Sequence, residues 1–385
     1  MIDQAGPARR HRPENIVTQI SDLIGHTPLF ELCRTESGTR LLLKLEQLNP
    51  TGSTKVRMAE RMISEGERSG RLRPGGRIVE PTSGNTGLAL ALLAIERGYR
   101  FTAVVDRHAC AEKLRAMAAL DAELIYVDGE NTGGPRTIER RRVARELAEA
   151  EGAYWPDQHN NPGNRAGYAG LARELLVDLD GDVDYLISAI GTGGSLCGTA
   201  AELRRLGSSV VTVGVEPAGS IIFGGSGGKY WQTGSGSPQG FPVGTNVDFS
   251  VLDQGVQVAD VEAFACARVL ARRTGLMVGG STGAAVHEAL GRLAGLPAGS
   301  TVVTMVSDAG EKYLDTVFHD DWLRERDLLD PGAEHRIDHI LALFSRPRGT
   351  AADLGAGLGS QPPAIDGVIV SAAAGRRAVP AVAPA

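Results

Sequence analysis

Lys55 closes the run Asn49-Pro50-Thr51-Gly52-Ser53-Thr54-Lys55, and a second run of small polar residues, Thr82-Ser83-Gly84-Asn85-Thr86-Gly87, follows it. A lysine desolvated at the start of a helix loses proton affinity, which makes its amine both a nucleophile and a base. An amine so placed, with a small-polar turn at another helix start, suits an enzyme that holds an aldehyde cofactor as a Schiff base. The cofactor this indicates is pyridoxal 5'-phosphate (PLP). Read alone, Lys55 is also what a surface lysine at a helix start looks like.

The second run follows Arg77-Ile78-Val79 and opens an apolar helix at Leu88. Free backbone N–H groups and short hydroxyls at a helix N-terminus make an anion site suited to a substrate carboxylate. One such residue is enough to cap a helix, whereas Thr82 to Gly87 supplies six in succession. Gly191-Thr192-Gly193-Gly194-Ser195 follows the apolar run from Tyr185 to Ile190 and precedes another helix, a placement that favours a phosphate. Its spacing departs from the dinucleotide fingerprint, and no Gly-Lys-Ser/Thr is present. In isolation it fits PLP, other phosphates or a plain turn. Val278-Gly279-Gly280-Ser281-Thr282-Gly283 again enters a helix, where a hydroxyl can meet a heterocycle nitrogen or simply cap the helix. Ser307-Asp308 and Lys312-Tyr313 either close the same cleft or form an ordinary turn. No metal-spaced cluster and no Ser/His/Asp order stands out. His159 and His287 lie in polar sequence and read as solvated.

Alternating strands and helices must position these turns. Strand-like runs fall at residues 41–45, 77–80, 101–105, 123–127, 185–190, 210–215 and 301–306. Helical patterns fall at 56–69, 87–97, 111–120, 135–151, 166–179, 194–206, 261–274 and 283–294. Such alternation implies parallel sheets with crossover helices. Two series, broken near residues 154–164, give two α/β domains with a cleft between them. A glycine-rich segment at 224–240, with Tyr230 and Trp231, interrupts the second series as a covering loop or a flexible insertion. With 385 residues, 42% hydrophobic content and a net charge of −6, the chain offers no case for nucleic acid or membrane binding. There is no bilayer-length apolar run and no apolar segment after the basic Arg9–Arg12 stretch. Cys33, Cys110, Cys197 and Cys266 are far apart and read as buried small hydrophobes, so the expected setting is cytoplasmic.

Together the motifs resemble the fold-type II PLP enzymes, in particular the cysteine synthase (O-acetylserine sulfhydrylase) group. The resemblance runs from Ile16, through Gly25-His26-Thr27-Pro28-Leu29, to Tyr313. It implies two three-layer α/β domains of the tryptophan synthase β-like kind, with the cofactor in the interdomain cleft, the smaller N-terminal domain spanning 45–160 and the larger C-terminal one 16–44 plus 161–330. Residues 1–15 are expected to form a disordered arm and 345–385 a disordered Ala/Gly/Pro-rich tail. A homodimer acting on small amino-acid substrates is also implied. By the resemblance Lys55 carries the cofactor and shuttles the α-proton, and Asn85 bonds the cofactor's 3-hydroxyl. Thr82, Ser83, Thr86 and Gln158 hold the substrate carboxylate, Gly191, Thr192, Gly193, Gly194 and Ser195 bind the phosphate, and Ser281 faces the pyridine nitrogen. No metal is expected. The implied reaction is β-replacement on an O-activated L-serine through an aminoacrylate.

Val56 stands where the group usually has aspartate, and Ser195 where threonine is common. Ala153-Tyr154-Trp155, Ser220-Ile221-Ile222-Phe223-Gly224, Gly279-Gly280-Ser281-Thr282-Gly283 and Asp321-Trp322-Leu323 are similar to a narrower branch. That branch makes N-(2-amino-2-carboxyethyl)-L-glutamate from O-phosphoserine and glutamate, toward 2,3-diaminopropionate for siderophores or antibiotics. This gives the leading expectation for the substrates, with cysteine synthesis from a sulfur nucleophile as the alternative and serine/threonine dehydration behind both. Arg165 and Lys229 are the cations expected to meet a phosphate leaving group, and no lysine other than Lys55 is expected to adjoin the two polar turns.

Overall fold

The computed structural model describes residues 16–106, 110–127 and 136–344. The arm and tail expected at 1–15 and 345–385 lie outside the described residues.

β1 (Leu29–Arg34) and β2 (Arg40–Lys44) form an antiparallel pair, and β3 (Arg77–Glu80), β4 (Arg100–Asp106) and β5 (Glu123–Val127) form a separate parallel sheet. β6 (Tyr185–Ala189), β7 (Val211–Pro217), β8 (Gln254–Val258) and β9 (Thr301–Met305) join the first pair in a six-stranded sheet ordered β1-β2-β9-β6-β7-β8. Every pairing in that sheet except β1 with β2 is parallel.

The helices are α1 (Lys55–Arg68), α2 (Asn85–Arg97), α3 (Ala111–Ala119), α4 (Arg136–Glu151), α5 (Pro162–Ala166) and α6 (Ala169–Asp178). They continue with α7 (Gly194–Arg205), α8 (Asp260–Thr274), α9 (Gly280–Arg292), α10 (Asp320–Arg324) and α11 (Pro331–Phe344).

Side-chain alternation along the strands builds the layers. On the larger sheet Leu41, Leu43 and Val302 face Phe264 of α8, Val286 of α9 and Ile337 of α11. Leu42, Leu186 and Val303 face Leu171 of α6 and Leu196 of α7 on the other side. Ile78, Phe101 and Val105 of the smaller sheet pack on Ala59, Leu90 and Met117 from α1, α2 and α3, while Val79 and Val104 meet Ala144 of α4. Both units are therefore three-layer α/β domains. Val56 is fully buried among the smaller domain's core residues, so its departure from the usual aspartate is a packing change.

Candidate active site

Four helices point their first residues at one cavity. Its lining includes Lys55 at the start of α1, Asn85 at the start of α2, Thr192, Gly193 and Ser195 around the start of α7, and Ser281 near the start of α9. The four N-cap residues, Thr54, Gly84, Gly193 and Gly279, make no side-chain cap hydrogen bond. The helix dipoles and first-turn N–H groups thus give the cavity a positive potential suited to anions.

The turn before Lys55 is held open by Thr51 and Gly52, whose φ angles are 66° and 64°. It is stitched to the exit of β9: Thr54 N–H donates to Ser307 O at 3.0 Å, and Ala309 N–H to Gly52 O at 3.1 Å. This junction brings Asp308 into the cavity wall. Burial lowers the proton affinity of Lys55, and the charge of Asp308 opposes that shift.

Lys312 corrects the expectation that no other lysine adjoins these turns. Its Nζ donates to Thr51 O at 2.7 Å, Gly52 O at 3.0 Å and Asn85 Oδ1 at 2.8 Å. Burial brings its pKa down to about 8 against the pull of Asp308. With three acceptors on its three protons it is tied down, whereas Lys55 stands at the cavity.

The glycine loop has a second reason for its composition. A Cβ on Gly193, at φ +87°, would overlap Asn246 O, and one on Gly194 would overlap Asn164 Oδ1. These glycines admit close packing by the protein as well as leaving backbone N–H groups for an anion.

Thr86 Oγ1 donates to Gln158 Oε1 at 2.7 Å, which joins the two segments expected to hold a carboxylate. Asn164 and Asn246 donate to Gln158 O at 2.6 and 3.1 Å. Thr82 is buried beside this turn and accepts from Gly84 N–H at 3.4 Å. Ser83 instead turns toward α4, where Arg140 donates to its Oγ at 2.9 Å. Thr82, Ser83, Thr86 and Gln158 therefore neighbour the cavity rather than form its immediate wall.

Glu80, wholly buried, accepts N–H groups from Asp157 at 3.0 Å and Gln158 at 3.3 Å. Burial first, then the charge of Asp157, raises its pKa from 4.5 to about 8. The native state then holds this proton more tightly than the unfolded state does. The stability it contributes is complete below about pH 4.5 and is lost as pH rises toward about 8. Glu80→Gln should remove this loss, so the variant gains melting temperature relative to the wild type between those limits. Parallel melting curves across pH would contradict that role.

Other expectations change. His287 is buried in α9 rather than solvated, and His159, half-buried, packs edge-on against Phe241 at 5.2 Å. Burial is the main reason that both have pKa values near 4. Arg165 is ion-paired with Asp248, and Lys229 sits 4.3 Å over the Trp231 ring; neither lines the cavity. The glycine-rich segment does reach the site through Thr233 and Gly234, while Trp231 packs on Trp322 of α10 at 5.4 Å.

The cavity suits PLP: Lys55 offers an amine for its aldehyde, the start of α7 N–H groups for its phosphate, and Ser281 a neutral hydroxyl for its ring nitrogen. A PLP-dependent fold-type II enzyme is the class that this fold and site define. Residues 20–308 match the family described as pyridoxal-phosphate dependent enzyme. The chain belongs to that family, and its type is the β-replacement, cysteine synthase-like one. A Sinorhizobium fredii protein named "Putative cysteine synthase" is 46% identical over 83% of this chain and 96% of its own length. An N-(2-amino-2-carboxyethyl)-L-glutamate synthase from Ralstonia nicotianae is 35% identical over 80% of this chain and 91% of its own. The crystal structure of O-ureido-L-serine synthase matches with a TM-score of 0.73 and 33% identity, covering 80% of this chain and 99% of that one. These relations carry the broader family and do not single out the glutamate-using branch.

Proposed function

We propose that the chain catalyses β-replacement on an O-activated L-serine with a sulfur nucleophile, hydrosulfide or a thiol. The observation that carries this is the buried amine of Lys55 facing the uncapped starts of α2, α7 and α9. When bound, PLP supplies an electron sink that acidifies the substrate's α-hydrogen and allows the β-substituent to leave. Lys55 Nζ, with its lowered proton affinity, takes that proton as a free amine and returns it to the product. The α2 turn, through Thr82, Ser83 and Thr86, and the paired Gln158 hold the substrate carboxylate, while Asn85 faces the cofactor's ring oxygen. Backbone groups from Gly191 to Ser195 hold the phosphate, and Ser281 offers its hydroxyl to the ring. The 46% relative's name supports the sulfur nucleophile.

Arg140 favours a second reading, in which the amine of glutamate is the nucleophile. Its guanidinium donates to Ser83 Oγ at 2.9 Å and pairs with Asp106 at 3.3 Å, at the edge of the carboxylate turn. A substrate with an additional acidic group could meet it there. Purified protein given O-acetylserine or O-phosphoserine with sulfide or glutamate distinguishes the readings by product mass. The sulfur-containing amino acid should predominate with sulfide. If the glutamate adduct forms faster and Arg140→Gln selectively lowers its kcat/KM, the second reading replaces the first. Ketoacid from serine alone would instead indicate a dehydratase.

A further inference from the structure

The carboxamide of Asn85 is held at both ends by charged groups. Lys312 Nζ donates to its Oδ1 at 2.8 Å, and its Nδ2 donates to Asp308 Oδ2 at 2.7 Å. The two ends of a carboxamide are alike in shape, so hydrogen-bond partners decide which way it faces. An ammonium only donates and a carboxylate only accepts, so this pair permits one orientation. Lys312 also grips Thr51 O and Gly52 O, the carbonyls of the left-handed turn that delivers Lys55. On the other side, Asp308 is 2% exposed and lines the cavity, and its Oδ1 has no hydrogen-bond partner among the described residues. Tyr313 Oη steadies Oδ2 by donating to it at 2.5 Å and is itself met by Lys113 Nζ at 3.0 Å.

We propose that Lys312 and Asp308 are positioning residues that clamp Asn85, so that one Nδ2 proton goes to Asp308 and the other is presented to the bound cofactor's ring oxygen. The inference rests on the reading that Lys55 carries the cofactor in this cavity. Lys312 links the two halves of that arrangement because it holds the Lys55 turn and Asn85 at once. Donation from Nδ2 favours the anionic form of the ring oxygen, and so sets the pH at which the cofactor's absorbance changes. Asp308 Oδ1 adds a fixed acceptor to the same wall. The effect differs from packing: it depends on which partner is charged, and a neutral partner of similar length does not enforce it.

The experiment is a pH titration of the visible absorbance of the holoenzyme, with cofactor affinity measured by equilibrium dialysis and melting temperature followed in parallel. Lys312→Gln, which can donate or accept, and Asp308→Asn, which can do the same, each release the constraint. Each should move the titration by about one pH unit, a tenfold change in proton affinity, and weaken cofactor retention. Lys312→Arg, retaining a donor-only cation, should lie nearer the wild type than Lys312→Gln. Lys113, Glu311 and Cys110 also lie near Lys312 and remain in every variant. Loss of the clamp raises the proton affinity in both Lys312→Gln and Asp308→Asn, whereas the lost charges alone, one positive and one negative, would move it in opposite directions. If Lys312→Gln fails to fold, Asp308→Asn decides the matter through the same titration. Folded variants with an unshifted titration and unchanged affinity would overturn the clamp. A wild type without cofactor absorbance would instead remove the Lys55 reading beneath it.

Discussion

Lys55→Ala should remain folded while losing turnover by roughly a thousandfold or more, because general-base catalysis alone contributes about 10²–10⁴-fold and the covalent attachment goes with it. The fold should survive because α1 is anchored by Val56, Met58, Ala59 and Met62, all fully buried, and not by the lysine. Lys312 should not rescue the reaction. Its amine is already engaged by Thr51 O, Gly52 O and Asn85 Oδ1. Turnover measured by product mass, beside a melting curve, checks both halves. A folded variant within tenfold of the wild-type rate would show that another group moves the α-proton.

Gly193→Val is the second large effect. Its φ of +87° is unfavourable for any side chain, and its Cβ would overlap the Asn246 backbone. Left-handed backbone costs about 1–2 kcal/mol for a residue with a Cβ, before the overlap is relieved. Relief must shift Asn246, whose side chain supports Gln158 O at 3.1 Å, so both the phosphate loop and the carboxylate site are disturbed. Cofactor affinity should fall by about tenfold or more, since each 1.4 kcal/mol is a factor of ten. Gly181→Ala is the control: its φ is +84° but nothing lies within 4 Å of the added carbon, so it reports backbone strain alone. Equal losses of stability in both variants, with cofactor affinity intact, would mark the Gly193 loop as a structural turn only.

The legible part of the fold was its interior. Runs such as Leu41-Leu42-Leu43 and the apolar stretch at β9 are buried on both faces, and their continuous hydrophobicity shows in the sequence. β1 and β8 escaped notice because they are the sheet's edges, where Glu31 and Gln254 face solvent and break the pattern. α11 lies between the expected end of the larger domain and the expected tail, and packs through Ile337 and Leu341.

In the site, the turns at Lys55, Thr82, Gly191 and Ser281 stood out because runs of glycine and hydroxyl residues at helix starts are locally unusual. Asp308 and Lys312 could be read either as closing the cleft or as part of an ordinary turn, since their contacts to Asn85 reach across more than two hundred residues. Arg165 and Lys229 failed as cavity cations for the complementary reason: the sequence does not reveal that Asp248 and Trp231 already occupy them. The depth of Val56 and His287 was likewise a matter of which helix face meets the core.

Borohydride reduction of the PLP-loaded wild-type enzyme, followed by proteolysis and peptide mass mapping, tests the central assignment most directly. Reduction converts the imine between cofactor and lysine into a stable secondary amine and records which lysine carried it. The label should fall on Lys55, with Lys312 and Lys113 unmodified. A label on Lys312, the other amine beside Asn85, or the absence of any labelled lysine would contradict the assignment.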